Sequence, residues 1–261
     1  MIPKIIHFTW FSNDPYPEKI QRCMDSWKHI MPDYEIIHWD MNRIKDIDAP
    51  FLREALAERK WAFAADYVRL YAVANYGGIY LDTDVEVYKS FDSLLDKECF
   101  IGREHGWHYA NGSDTVTYLS SHCFGAVEGH KFVKDVLDYY NSVSFLKTDN
   151  PRVPNILKQN IAIIPYVQAI YARQYGYDWN LSAPQHQIIN KGIVIFPDYY
   201  FDGHGNDPEA YCAHLAVGSW RDEYNIYAHT KITWKYKIEW RIIAVLRRLL
   251  NKYKYDVVRT T

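Results

Sequence analysis

The sequence predicts an α/β domain built on a largely parallel sheet. Three observations point there. The chain opens on an apolar strand, a helix and a second apolar strand, the pattern of a βαβ unit. A stretch of good helix formers then ends at Gly77-Gly78 and runs straight into another apolar strand, Ile79-Tyr80-Leu81. Finally, 261 residues with 48% hydrophobic content are enough for one large α/β domain, alone or with a small appendage.

The elements follow in order. Ile2 to Phe11 reads as a buried first strand with Pro3 at its edge. Pro15-Tyr16-Pro17 makes a turn. Ile20, Cys23, Met24, Trp27 and Met31 then recur at helical spacing until Pro32-Asp33 stops the helix. Tyr34 to Trp39 forms the second strand. Phe51 to Asn75 is rich in Ala, Leu, Arg and Glu and holds one or two helices, with Gly77-Gly78 as the C-cap. Further strands are expected at Cys99 to Gly102 and Ile193 to Phe196, and helices at Lys131 to Tyr140 and Val167 to Tyr175. No internal repeat interrupts this order.

Composition narrows the functional classes. The net charge is −2, and no recognition motif supports a nucleic-acid role. Aromatic residues make up 16% of the chain, which suits an aromatic core and equally a site that stacks on rings or sugars. Cys23, Cys99, Cys123 and Cys212 are scattered, without the spacing of a zinc or redox motif, and fit a reducing compartment. The apolar patch in MIPKIIHFTWF is too short for a signal peptide, and no run reaches membrane-span length. A cytoplasmic protein is expected.

The segment 231–261 differs from the body, 1–230. Between Lys231 and Lys254 eight basic residues face one acid, Glu239, a net +7 that leaves about −9 for the rest. Trp234, Ile238, Ile242, Val245, Leu246 and Leu249 share one side of a helical wheel, and Lys237, Arg241, Arg247 and Arg248 lie mostly on the other. A basic amphipathic helix of this kind lies on an anionic membrane face, or packs on the domain with a solvated basic back. Both readings stand.

Chemistry concentrates at the end of the Ile79 strand, where Asp82 and Asp84 flank Thr83. In an extended strand both side chains point to one face. Held together, the two acids repel unless a cation lies beside them, and their hard oxygens suit Mg²⁺ or Mn²⁺ completed by a phosphate. An acidic surface turn is the simpler alternative. An EF-hand would need Gly where Val87 stands, and the haloacid-dehalogenase motif a small β-branched residue where Glu86 stands.

The wider context decides between them. Upstream, Asp66 and Arg69 form an i,i+3 pair on one helical face. Ala65-Asp66-Tyr67-Val68-Arg69 followed by Gly77-Gly78-Ile79-Tyr80-Leu81-Asp82-Thr83-Asp84 resembles the sugar-binding signature of family-32 glycosyltransferases. That family includes yeast initiating mannosyltransferases and bacterial capsule and O-antigen transferases, and the glucosylating clostridial toxins carry a similar core. The opening Ile2-Pro3-Lys4-Ile5-Ile6-His7-Phe8-Thr9-Trp10 and the late His214-Leu215-Ala216-Val217-Gly218-Ser219-Trp220 are similar to the family's first strand and closing motif. The match departs at His122, where members often carry Asn.

The resemblance implies a GT-A fold, a Rossmann-like sheet that binds a nucleotide sugar at its carboxyl edge. It implies Asp82, Asp84 and His214 as ligands of Mn²⁺ or Mg²⁺, with Asp66, Arg69, Asp82 and Asp84 as the catalytic group. Thr9, Trp10, Asp66, Arg69, Tyr80, Asp82, Ser219 and Trp220 would contact the donor. It implies retention of anomeric configuration, with the leaving diphosphate assisting the incoming hydroxyl. An inverting enzyme would need a carboxylate base, for which Asp202, Asp207, Glu209 and Glu223 are unassigned. The expected activity is transfer of a hexose from a UDP-sugar to a lipid-linked or oligosaccharide acceptor in bacterial polysaccharide synthesis. GDP-mannose is the alternative donor, and a metal-dependent phosphatase or a non-catalytic sugar-binding module the alternative class. The tail 231–254 would supply peripheral membrane contact.

Overall fold

His7 shows how the first elements lock together. The computed structural model describes residues 1–106, 108–110, 114–148, 159–160 and 162–217. Strand β1 (Ile5–Thr9) buries His7 completely. Its Nε2 donates to the carbonyl of Gly77 at 2.8 Å, and Nδ1 accepts from the Trp39 indole at 3.1 Å. Pro3 has no N–H to give to a ladder, and Ile2 donates instead to the carbonyl of Leu95, so the strand is shorter than the apolar run suggests.

Helix α1 (Glu18–Ile30) buries Ile20, Cys23, Met24 and Trp27, with Glu18 in its first turn and Lys28 and His29 in its last, each sign matched to the helix dipole. Strand β2 (Glu35–Trp39) pairs parallel with β1 and closes the expected βαβ unit. Two helices follow, α2 (Pro50–Ala57) and α3 (Trp61–Tyr76). Gly77 ends α3 at φ 62°, and a Cβ there would stand 2.7 Å from the Glu128 nitrogen, so both conformation and space require glycine.

The chain then forms β3 (Gly78–Leu81), β4 (Val85–Val87), β5 (Cys99–Arg103), the short strands β6 (His108–Ala110) and β7 (Asp114–Val116), and β8 (Leu119–Ala126). Helices α4 (Lys131–Ser142) and α5 (Ile164–Gln174), strands β9 (Gln187–Ile189) and β10 (Ile193–Phe196), and β11 (Cys212–His214) complete the described part. Seven strands make one sheet in the order β2-β1-β3-β8-β5-β10-β9. Strands β2, β1, β3, β5 and β10 run one way, so the sheet is mainly parallel, as the sequence predicts. Two strands depart from that pattern. Strand β8 is inserted antiparallel between β3 and β5, and β9 pairs antiparallel at the edge.

The ribbon β4–β11 lies apart from the large sheet. It is tied to α1, because the Trp27 indole donates to the carbonyl of Val85 at 2.7 Å and Val87 donates to the Ser26 hydroxyl at 2.9 Å. Its core includes Phe91, Phe100, Phe201 and Tyr211 together with Ile79 and Leu81. All four cysteines are buried and free.

Two compact units divide the chain. One comprises Met1–Gly106 with Thr117–Val217, and the other Trp107–Val116 with Gly218–Thr261, whose described part is the antiparallel pair β6–β7. The boundary expected at residue 230 and the basic helix 231–254 fall outside the described residues. Among the described residues no helix is long and apolar enough to cross a membrane.

Burial lowers the His7 pKa from 6.5 to about 4. Between those values the unfolded chain binds the extra proton and the folded one does not, so stability is full above pH 6.5 and is lost as pH falls toward 4. The slope is at most about 1.4 kcal/mol per pH unit. A His7→Gln variant is expected to be less stable at neutral pH but to lose less between pH 6.5 and 4, read by urea unfolding at a series of pH values.

Candidate active site

The site starts from an unusual helix. α3 is buried on most sides and still carries Asp66 and Arg69, which are 8% and 5% exposed. A charge taken that far from water needs partners. Arg69 Nη2 lies 3.2 Å from Asp66 Oδ1 and 3.3 Å from Asp82 Oδ1. Nη1 donates to the carbonyl of Ser121 at 2.7 Å and to Asp82 Oδ2 at 3.4 Å, and Nε to the carbonyl of Ala65 at 3.3 Å. The guanidinium lies over the Tyr80 ring at 4.7 Å. Burial works against this charge, but Asp82, Tyr80 and Asp66 hold it protonated. Asp66 itself is pushed up to about 7, chiefly by burial, with Asp82 adding to the shift and Arg69 opposing it.

Strand β3 brings Asp82 to this cation. Tyr80 and Asp82 lie two residues apart on one face, and the Tyr80 hydroxyl donates to Asp82 Oδ1 at 2.9 Å. Burial and the nearby Asp82 raise the phenol well above its ordinary pKa, so it stays a neutral donor. Thr9, at the end of β1, donates its hydroxyl to Tyr80 at 3.0 Å. A relay of Thr9, Tyr80, Asp82 and Arg69 therefore runs along the carboxyl ends of β1 and β3.

Asp84 belongs to a second group. After Asp82 the chain leaves the sheet and enters β4, where Val85 pairs with His214 of β11. That register sets His214 Nε2 3.2 Å from Asp84 Oδ1. Val217 donates its backbone N–H to Asp84 Oδ2 at 3.0 Å and Leu215 donates to the Asp84 carbonyl at 2.9 Å. Between them Ala216 sits at φ 45°, a conformation costly for a residue with a Cβ, and it turns Val217 toward the carboxylate. Burial would raise the Asp84 pKa, but the His214 hydrogen bond overcomes it and the carboxyl titrates below its ordinary value. Burial likewise opposes the His214 charge, and the bond to Asp84 raises its pKa in spite of it.

His122 explains the departure from the expected Asn. β8 bulges here, since Ile101 pairs with Phe124 while Arg103 pairs with Leu119. Gly102 alone thus faces Ser120, Ser121, His122 and Cys123. The bulge turns the Ser121 carbonyl to Arg69 and stacks His122 on His214, ring centroids 4.4 Å apart. Nε2 of His122 donates to the carbonyl of Phe201 at 3.0 Å and Nδ1 accepts from Ser120 at 2.9 Å. Burial lowers its pKa to about 3, so the ring stays neutral beside His214.

Asp82, Asp84 and His214 each offer a ligand atom within 4.8 Å of one another. Two carboxylates and an imidazole fit Mn²⁺ or Mg²⁺ with phosphate oxygens in the remaining positions. His214 Nε2 neutralises Asp84 by this contact, and a cation held by both groups would take over that neutralisation.

The structure brings Thr9, Asp66, Arg69, Tyr80, Asp82, Asp84 and His214 to one sheet edge. Trp10 lies beside Thr9 but turns edge-on to Tyr16 at 5.2 Å and makes no hydrogen bond to this group among the described residues. Ser219, Trp220 and Glu223 fall outside the described residues. Of the unassigned acids, Asp202 accepts the His214 backbone N–H at 3.3 Å, whereas Asp207 and Glu209 bond within their own turn and to Tyr200. Sequence reasoning missed the Ser121 carbonyl, which a backbone contact leaves unsigned, and the stacking role of His122.

Residues 17–101 match the model of the glycosyltransferase sugar-binding region containing DXD motif. Over 140 residues it is 32% identical to inositol phosphoceramide mannosyltransferase 3 of Schizosaccharomyces pombe, covering 52% of this chain and 36% of that protein. A mannosyl phosphorylinositol ceramide synthase of Saccharomyces cerevisiae is 29% identical over 146 residues, covering 52% of this chain and 35% of that one. The chain spans about a third of the length of these relatives. Among solved structures, the PaToxG glycosyltransferase aligns with a TM-score of 0.46 at 20% identity, over 66% of this chain and 69% of that one.

Lysine cannot reproduce the planar fork that joins Asp66, Asp82 and Ser121. Arg69→Lys is expected to keep the fold by circular dichroism and to lose about 10- to 100-fold in turnover, the scale of one or two charge-assisted hydrogen bonds.

Proposed function

We propose that this chain is a divalent-metal-dependent glycosyltransferase that moves a hexose, mannose before others, from a nucleoside-diphosphate sugar to a hydroxyl of a lipid-linked acceptor. The observation that carries the reading is the Asp82, Asp84, His214 cluster beside the buried Asp66–Arg69 pair. The bond from the anomeric carbon to the diphosphate breaks, a bond to the acceptor oxygen forms, and the acceptor proton leaves with the diphosphate. Asp82, Asp84 and His214 would hold the cation, which when bound neutralises the departing diphosphate. Arg69 and Asp66 would orient donor hydroxyls, and the Thr9–Tyr80 relay would keep Asp82 from turning away. Retention of configuration is part of this proposal.

The donor preference follows the relatives' names, both of which are mannosyl enzymes of inositol-containing ceramides. They favour the GDP-mannose alternative over the UDP-hexose and capsule assignment expected from the sequence. Place and partner are proposed with it: a cytoplasmic protein working at a membrane face, with the +7 segment 231–254 against anionic headgroups.

A thermal-shift panel of GDP-mannose, UDP-galactose and UDP-glucose with Mn²⁺ tests the donor, because a ligand of the folded state raises the melting temperature. GDP-mannose is expected to give the largest rise, and Asp84→Asn to remove its Mn²⁺ dependence. A larger rise with a UDP-sugar would return the donor assignment to the UDP class.

Sedimentation with phosphatidylserine liposomes tests the tail. The full chain is expected to pellet at low salt and a chain ending at residue 230 to stay in solution. Equal pelleting removes the membrane assignment.

A further inference from the structure

The turn that follows β11 is strained where no packing asks for it. Ala216 holds φ at 45°, in the left-handed region, and its methyl is exposed. Backbone of this kind persists where surrounding bonds over-determine it. Here those bonds go to a single residue. The Leu215 N–H donates to the Asp84 carbonyl at 2.9 Å, and the Val217 N–H to Asp84 Oδ2 at 3.0 Å. In the β4–β11 register His214 stands opposite Val85. Continued, that ladder would carry Val217 past Asp84 to a place opposite Asp82. The left-handed step at Ala216 ends the ladder instead and returns the next N–H to the Asp84 side chain.

We infer that Ala216 is a positioning residue for the cation site: its turn clips Asp84 Oδ2 to the Val217 N–H and so keeps Oδ1 turned toward the cluster. The inference rests on the cation reading above. Among the described residues two neighbours hold the Asp84 carboxylate, His214 at Oδ1 and Val217 at Oδ2. An Nε2 that gives its lone pair to a cation has no proton left to donate, so the His214 bond is lost as a cation enters. The Val217 bond is made to the other oxygen and by a backbone group that is no candidate ligand. It is the contact that then keeps the carboxylate from rotating, and a ligand fixed beforehand loses less freedom on binding than a free one.

Asp82 is treated in the same manner. The Tyr80 hydroxyl donates to its Oδ1 at 2.9 Å. Each carboxylate of the cluster is thus oriented by a donor from outside it, one a side chain of β3 and the other the backbone after β11. The first depends on a tyrosine, the second on one residue's φ.

The test titrates Mn²⁺ alone into the full chain, without donor or acceptor, and reads the loss of the free-ion paramagnetic resonance signal. Ala216→Val, whose branched side chain excludes the left-handed region, is expected to weaken Mn²⁺ binding about tenfold or more, the scale of losing a group that orients a ligand. Ala216→Gly, the variant that adopts this region freely, is expected to keep the unaltered affinity and to melt no lower in EDTA. A second measurement needs no variant. In the unaltered chain labelled with ¹⁵N-valine, the Val217 amide is expected to exchange slowly in EDTA and to stay protected when Mg²⁺ fills the site. A valine variant within about twofold of the unaltered affinity, a glycine variant as weak as the valine one, or a Val217 amide that loses protection with Mg²⁺ overturns the assignment and leaves the cation site standing. Unaltered protein that binds Mn²⁺ no better than Asp84→Asn overturns the cation site and this inference with it.

Discussion

The buried guanidinium of Arg69 is the constraint on which the site depends. Its three hydrogen bonds and two ion pairs go to two carboxylates and two carbonyls drawn from α3, the end of β3 and β8. A cation with fewer partners would not repay its desolvation in the core. Each partner is therefore fixed by the others: α3 must pack close on β3, β8 must bulge to expose the Ser121 carbonyl, and Asp82 must turn inward. The like charges of Asp66 and Asp82 are tolerated because one cation lies between them. Asp84 is balanced separately, by His214 from a different strand pair. The two acids of the D-x-D stretch are thus not a redundant pair. One belongs to the helix, the other to the ribbon, and only the cluster with His214 joins them.

Local patterns carried much of this in the sequence. The continuous apolar run Ile193 to Phe196 is a strand with those bounds, and the Gly77-Gly78 cap ends α3 as its chemistry requires. The Asp66–Arg69 pair was visible from its i,i+3 spacing, though spacing alone describes an exposed ion pair and not a buried one. What stayed hidden is tertiary. β8 reads LSSHCFGA, with small and polar residues and no clean alternation, because its bulge breaks the period that marks a strand. Its antiparallel insertion between β3 and β5 follows from no local signal. The same bulge hid His122, whose identity departs from the resemblance and whose ring supports His214 by stacking.

Histidines set the electrostatic tone of the fold in two opposite ways. His7 and His122 are buried, donate to backbone carbonyls and are held neutral. His214 has a carboxylate for a partner, and its pKa moves up. A neutral His122 stacked on His214 leaves Asp84 as the partner of any charge that His214 carries. Had His122 titrated in the ordinary range, two imidazolium rings in contact would repel, and the ligand geometry would change with modest acidification.

The site also divides along the chain. Asp66, Arg69, Asp82 and Asp84 all lie within the matched region 17–101, whereas His122, Asp202 and His214 come after it. On the proposed reading the first set grips the donor, and His214 of the later set completes the cation site. Similarity over the first set bears on donor chemistry more than on acceptor chemistry. Relatives that share the helix–strand core can then share a sugar while differing in the hydroxyl that receives it.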